Sequence, residues 1–203
     1  MFPALLSLIV ISFTGVMMPG PMFAVTLTRS YKSPWAGPLV ALGHAVVEVP
    51  LILLIYFGFA GLFQHNLVQI SLSILGGGMV IWLGVSMFRA RNAVVDEGRE
   101  MSGNAFTAGI MMSGLNPFFL LWWVTVGSLL IMRFSSYGLI GLTLFILAHW
   151  LCDFIWLSFV STLVYRTHAF WGRKFQEWLF IACSLLLLVF GGWFLVSGIK
   201  LMI

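Results

Sequence analysis

Long apolar stretches separated by short polar ones dominate the chain. Six such stretches emerge, at about residues 3–28, 38–63, 67–88, 105–132, 137–165 and 175–199. Each is near or above the ~20 residues that a helix needs to cross the hydrocarbon core of a bilayer. The short segments of alternating polarity that build a membrane barrel do not occur. The pattern predicts an all-α membrane protein with six transmembrane helices. One connection, residues 91–104, carries a run of charges, Asp96-Glu97-Gly98-Arg99-Glu100. It divides the chain into a first three-helix unit (1–90) and a second (105–203), with 91–104 as the linker.

Two of the six spans are interrupted. Pro19-Gly20-Pro21 lies inside the first and Gly114-Leu115-Asn116-Pro117 inside the fourth. Proline removes a backbone donor and clashes with the preceding turn. Gly20 and Asn116 suit an N-cap, and proline suits the first helical position after it. Each motif therefore reads as the end of one half-helix and the start of another. Irregular backbone at membrane depth is tolerated where it is packed in protein or lines a cavity. One break alone is equally an ordinary kink. Two breaks at matching places point to a binding site at Pro19, Gly20, Pro21, Asn116 and Pro117.

The two units share further landmarks. Gly43-His44 followed by Glu48 matches Ala148-His149 followed by Asp153, and Trp82, Ser86 and Arg89 match Trp193, Ser197 and Lys200 at identical spacing. An odd number of spans per unit gives the two copies opposite orientations, the inverted-repeat plan of many secondary transporters. The loops after the odd-numbered spans hold Arg29, Lys32, Arg89, Arg91, Arg99, Arg166, Arg173 and Lys174, whereas the other side holds Arg133 and Lys200. Basic loops stay cytoplasmic. The linker is thus expected inside and both termini outside.

Composition excludes a soluble domain. Hydrophobic residues make up 61% of the chain and charged residues 8%, with a mean hydropathy of +1.07. The net charge of +4 resides in loops and speaks to topology; no nucleic-acid partner is expected. No basic segment precedes the first apolar run and no small-residue cleavage site follows it, so the first span is expected to stay in the mature protein of the plasma membrane. The chain has no nucleotide-binding loop, and neither ATP coupling within the chain nor any cofactor is expected. Cys152 and Cys183 lack metal-ligand spacing and read as small buried hydrophobes.

Candidate chemistry is confined to few residues. Glu48 and Asp153 are the acidic residues deep within spans, Glu177 lying at the very start of the last, and His44 and His149 precede each by four positions, on the same helix face. Ionisable groups inside a membrane face the bundle interior, a cavity or one another. These pairs fit either structural bonds between helices or a site that relays protons and holds a substrate ammonium. In the expected topology, the second half-helices start near the midplane and direct their positive ends at one central region, which favours an anionic group. A zwitterionic amino acid would satisfy both features. Trp122-Trp123 and Trp171 fit interface belts and core packing. Gly76-Gly77-Gly78 and Gly191-Gly192 fit close helix packing.

Pro19-Gly20-Pro21, Asn116-Pro117 and the small six-span chain resemble the lysine-exporter (LysE/RhtB) translocators over nearly the whole length. Gly43-His44-Ala45-Val46-Val47-Glu48 and Asn116-Pro117-Phe118 through Trp122-Trp123 look most like the archaeal-type branch, with Phe118 where many members carry lysine. The resemblance implies a transporter rather than an enzyme, exporting amino acids or related small metabolites on the proton gradient. A homo-oligomer stays open. Two other readings compete. His44, Glu48, His149 and Asp153 form a ligand set that suits a divalent metal-ion exporter. A membrane thiol oxidoreductase would need paired cysteines in equivalent spans, and Cys152 and Cys183 fall in the fifth and sixth.

Overall fold

The computed structural model describes residues 2–17, 20–58, 65–97, 104–171 and 173–202. Among them every regular element is helical. The first expected span is two helices, α1 (Phe2–Val16) and α2 (Pro21–Arg29), whose axes differ by 72°. Gly20 takes an extended conformation before α2, with φ −160° and ψ −176°, and Pro21 occupies the first helical turn, as a proline with no donor to lose there should. Helix α3 (Ala36–Tyr56) carries Pro50 inside it. It stops short of the expected residue 63, because Gly58 adopts φ +91°, a left-handed conformation that ends a helix. Residues 59–64 lie outside the described residues.

Helix α4 (Asn66–Glu97) runs past the expected end at residue 88. No glycine or proline intervenes between Phe88 and Gly98, so nothing local stops it. The charged stretch therefore begins on the helix, and residues 98–103 lie outside the described residues. The fourth expected span is the most fragmented. It comprises α5 (Ala105–Gly114), α6 (Pro117–Trp122), a π-helical turn (Trp123–Gly127) and α7 (Ser128–Ser135). Helix α5 starts at Asn104, whose Oδ1 accepts the Phe106 N–H at 3.1 Å. It ends just before Asn116-Pro117. Two long helices complete the chain, α8 (Gly138–Thr167), followed by a single 3-10 turn, and α9 (Arg173–Lys200). Four helical stretches are long and apolar enough to cross a membrane singly, and α1 with α2 makes a fifth. The remaining expected span, 105–132, does not pass as one helix because its breaks cut it into pieces.

Helix α3 is central, packed on α5 and α8, while α1 lies on α8 and α4 on α9; α2 reaches α5, α8 and α9. Glycine sets how closely these helices approach. A Cβ on Gly43 would lie 2.0 Å from the Phe106 carbonyl oxygen, and one on Gly109 would lie 2.2 Å from that of Val40. The backbones of α3 and α5 thus touch through two reciprocal glycines. Gly77 and Gly191 do the same between α4 and α9, each 2.9 Å from the other's carbonyl oxygen, whereas Gly78 and Gly192 meet open space. Such small-residue seams hold helices together where lipid offers no hydrophobic drive. Polar ties reinforce them: Ser184 Oγ donates to the Gly84 carbonyl at 2.8 Å, and Trp150 Nε1 to that of Ala41 at 3.2 Å. Leu139, Leu151, Phe159, Leu185 and Val189 are exposed on the outer faces of α8 and α9, where a bilayer would cover them.

The α3–α5 seam leaves no room for a side chain. Gly109→Val is expected to cost about 1–3 kcal/mol, the range for overpacking, and to lower the melting temperature in detergent. Gly78→Ala, facing open space, is expected to leave it unchanged.

Candidate functional site

The (i, i+4) spacing places His44 and Glu48 on one face of α3, and His149 and Asp153 on one face of α8. Those faces meet. Glu48 is fully buried and the other three are at most 4% exposed. Glu48 Oε1 lies 2.9 Å from His44 Nε2 and 3.2 Å from His149 Nε2, so one carboxylate oxygen serves both imidazoles. Asp153 is farther away, with Oδ1 3.9 Å from His44 Nε2 and Oδ2 3.8 Å from His149 Nε2. Glu48 Oε2 and Asp153 Oδ2 are buried with no hydrogen-bond partner. Ligand atoms of His44, Glu48 and Asp153 also lie within 4.8 Å of one another, close enough to share a metal ion.

The outer nitrogens of the imidazoles are held by serines from the interrupted spans. His44 Nδ1 is 2.6 Å from Ser113 Oγ on α5, and His149 Nδ1 is 2.7 Å from Ser12 Oγ on α1. A hydroxyl has one proton to give. Ser113 Oγ is also 2.7 Å from the Gly109 carbonyl; both contacts are hydrogen bonds when Ser113 donates to that carbonyl and accepts from a proton on His44 Nδ1. The Ser12 hydroxyl can face His149 in either sense.

Ser12, His44, Glu48, His149 and Asp153 border a cavity of about 130 Å³. Gly20, Pro21, Met22 and Phe23 line it at the start of α2, where no side chain caps the helix. Asn116 lines it at the second break, but its Oδ1 accepts the Phe119 N–H at 3.4 Å. The two helix starts therefore differ: that of α2 is open to the cavity, and that of α6 is capped by its own asparagine. Phe119, Trp122, Leu157, Phe190 and Phe194 supply an apolar wall.

Seven residues singled out from sequence come together here: Gly20, Pro21, His44, Glu48, Asn116, His149 and Asp153. Pro19 lies outside the described residues, as do the side chains of Pro117 and Phe118. Sequence reasoning missed Ser12 and Ser113, the buried hydroxyls of the half-helices α1 and α5. It also assigned Trp122-Trp123 to belts and packing. Trp122 stacks on the His149 ring at 5.6 Å, Trp123 meets that ring edge-on at 4.9 Å, and Phe119 packs against His44 at 5.1 Å. The available signal was the run Asn116, Phe119, Trp123, whose three- and four-residue steps follow one helix face. The π-helical turn begins at Trp123, and such bulges recur at functional sites. Cys152 and Cys183 are buried and free.

Residues 13–198 match the LysE type translocator family. The chain is also similar to the chemotactic transduction protein ChpE of Pseudomonas aeruginosa, with 27% identity over 201 residues, covering 95% of this chain and 97% of that protein. No solved structure matches.

The serine–histidine pairs predict a selective spectroscopic response. Ser113→Ala leaves the His44 Nδ1–H without an acceptor, at a cost of about 1–3 kcal/mol. Nitrogen NMR of histidine-labelled protein is expected to show altered His44 signals in Ser113→Ala with His149 unmoved, and the converse in Ser12→Ala. Unchanged histidine signals in both variants would refute the pairing.

Proposed function

The chain belongs to the LysE type translocator family, and we propose that it is a secondary active transporter exporting amino acids or related small zwitterionic metabolites in exchange for protons. The observation that carries this reading is the polarity of the cavity. The uncapped start of α2 borders it with backbone N–H groups and the positive end of a helix dipole, suited to a substrate carboxylate. Glu48 Oε2 and Asp153 Oδ2, on residues that border the same cavity, are buried acceptors without partners, suited to an ammonium. Its 130 Å³ is close to the ~150 Å³ of an engineered cavity that takes up benzene, which favours a ligand of similar size.

In this reading α5 to α7 form one broken span, counterpart of α1 with α2, giving six spans in two inverted units, 1–90 and 105–203, joined by a cytoplasmic linker at 91–104. The packing supports it, since contacts recur with the units exchanged: α1 lies on α8 as α5 lies on α3, while α3–α8 and α4–α9 pair counterparts with each other. The serine contacts exchange in the same way. A second reading, a divalent metal-ion exporter, draws on the converging ligand atoms of His44, Glu48 and Asp153.

Two measurements follow. Both termini are expected outside and residues 91–104 inside, so an impermeant thiol reagent on intact cells should label single cysteines placed at the termini and spare those in the linker; the reverse pattern would overturn the topology. In proteoliposomes offered an amino-acid panel and a divalent-metal panel, amino-acid transport driven by an imposed pH gradient is expected, and Glu48→Gln and Asp153→Asn should each abolish it. His44→Gln and His149→Gln should retain partial activity. Tight metal binding by calorimetry, lost in both histidine variants, would instead establish the metal reading.

A further inference from the structure

Helix α9 differs from the other helices around the cavity in what it brings there. Ser12 of α1, His44 and Glu48 of α3, Asn116 before α6, and His149 and Asp153 of α8 all carry polar groups to it. Among the described residues, α9 contributes Phe190 and Phe194 alone. Between Ser184 and Ser197 that helix has no charged, hydroxyl or amide side chain. We propose that Phe190 and Phe194, with Met22 and Phe23 from the first turn of α2, form the subsite for the substrate side chain. That side chain is short, aliphatic and uncharged. The assignment rests on the amino-acid reading above and narrows it.

The aromatic residues around the cavity fall into two sets. Phe119 packs on His44, and Trp122 and Trp123 pack on His149. Phe190 and Phe194 contact each other, with ring centroids 6.2 Å apart, and belong to one apolar cluster with Met22, Phe23 and Ala24. Their surface therefore adjoins the helix start that suits a carboxylate. In an α-amino acid the carbon bearing the carboxylate and the ammonium also bears the side chain, so a carboxylate held there brings the side chain to this cluster. The rotation of α9 is fixed by Ser184, tied to the Gly84 carbonyl, and by Gly191, pressed against Gly77 and Ile81. The first unit has no copy of the subsite. At the spacing that matches Trp82 with Trp193, the counterparts of Phe190 and Phe194 are Met79 and Leu83, which pack in the same cluster without lining the cavity.

Size and charge select the side chain. The cavity of about 130 Å³ must hold the carboxylate and the ammonium as well, which leaves little room beyond them. Phe194 is buried, so its ring cannot swing aside for a larger guest without displacing its neighbours, and its bulk sets the upper limit. A lysine side chain would set a second ammonium among phenylalanine rings, on a helix with no acceptor side chain to receive it. A charge placed so is strongly disfavoured. An aliphatic group gains from the same surface, by about 10–200-fold in affinity for each methylene that fits.

The test is calorimetry on the full chain in detergent, titrated in turn with glycine, L-valine, L-phenylalanine and L-lysine. Valine is expected to bind at least ~10-fold more tightly than each of the other three. Phe194→Leu frees room and should strengthen phenylalanine binding on the order of 10-fold while valine is kept. Phe194→Trp takes up room and should weaken valine on the order of 10-fold while glycine is unchanged. These shifts run in opposite directions, whereas a fault in folding would weaken every ligand together. Val189→Ala, on the exposed outer face of α9, should leave the whole profile as it is. Lysine bound as tightly as valine, or a size profile that moves with neither Phe194 variant, would overturn the subsite and leave the amino-acid reading standing. Absence of binding by any amino acid would overturn that reading and the subsite with it.

Discussion

A carboxylate buried among membrane helices has no water to turn to, and Glu48 resolves this by giving one oxygen to two imidazoles. That shared contact dictates much of the surrounding structure. It draws the His–acid face of α3 onto the matching face of α8. It leaves each imidazole with an outer nitrogen that also needs a partner, and Ser113 and Ser12 bring α5 and α1 to meet them. Four helices from both ends of the chain are thereby fixed around a few polar atoms. Removing any one partner would leave another buried and unpaired, so the cluster is conditional on being complete.

Glycine and the chain breaks make that geometry reachable. Helices α3 and α5 approach until backbone meets backbone at Gly43 and Gly109, which carries Ser113 to hydrogen-bond distance of His44. The breaks at Gly20-Pro21 and Asn116-Pro117 stop helices at the depth of the cluster, so that backbone borders the cavity beside the ionisable groups. The capping of α6 by Asn116, set against the uncapped start of α2, gives the cavity a direction. One helix start borders the cavity without a side-chain cap, and the two carboxyls border the same cavity. Aromatic rings hold the imidazoles in place, with Trp122 and Trp123 on His149 and Phe119 on His44. Helices α4 and α9 run along each other on a seam of their own, and α9 closes the apolar wall with Phe190 and Phe194.

Much of this was legible in the sequence. Hydropathy located each helical region, because a membrane demands about 20 apolar residues in a row wherever the chain crosses it. Pro21 and Asn116-Pro117 located the breaks, because proline acts on its own turn. The (i, i+4) spacing put His44 beside Glu48 and His149 beside Asp153, because a helix repeats every 3.6 residues. All of these are local consequences of local chemistry. Helix ends were less legible: α4 runs on to Glu97 and α3 stops at Tyr56, since flanking residues without a breaker, or with a glycine free to turn left-handed, decide the matter residue by residue.

Only the tertiary structure decided which partners meet. Ser113 and His44 are 69 positions apart, and Ser12 and His149 are 137 apart; no periodicity links them. The sequence presents Glu48 and Asp153 as equals. Packing brought both histidines within hydrogen-bond distance of one of them and left the other 3.8 Å or more from either. The sequence likewise presents Gly20 and Asn116 as alike, and only the fold opened one helix start to the cavity while the other was capped. Local pattern determined which groups each helix would offer. The distances between helices, set by glycine contacts and by the need of buried polar atoms for partners, determined what those groups became.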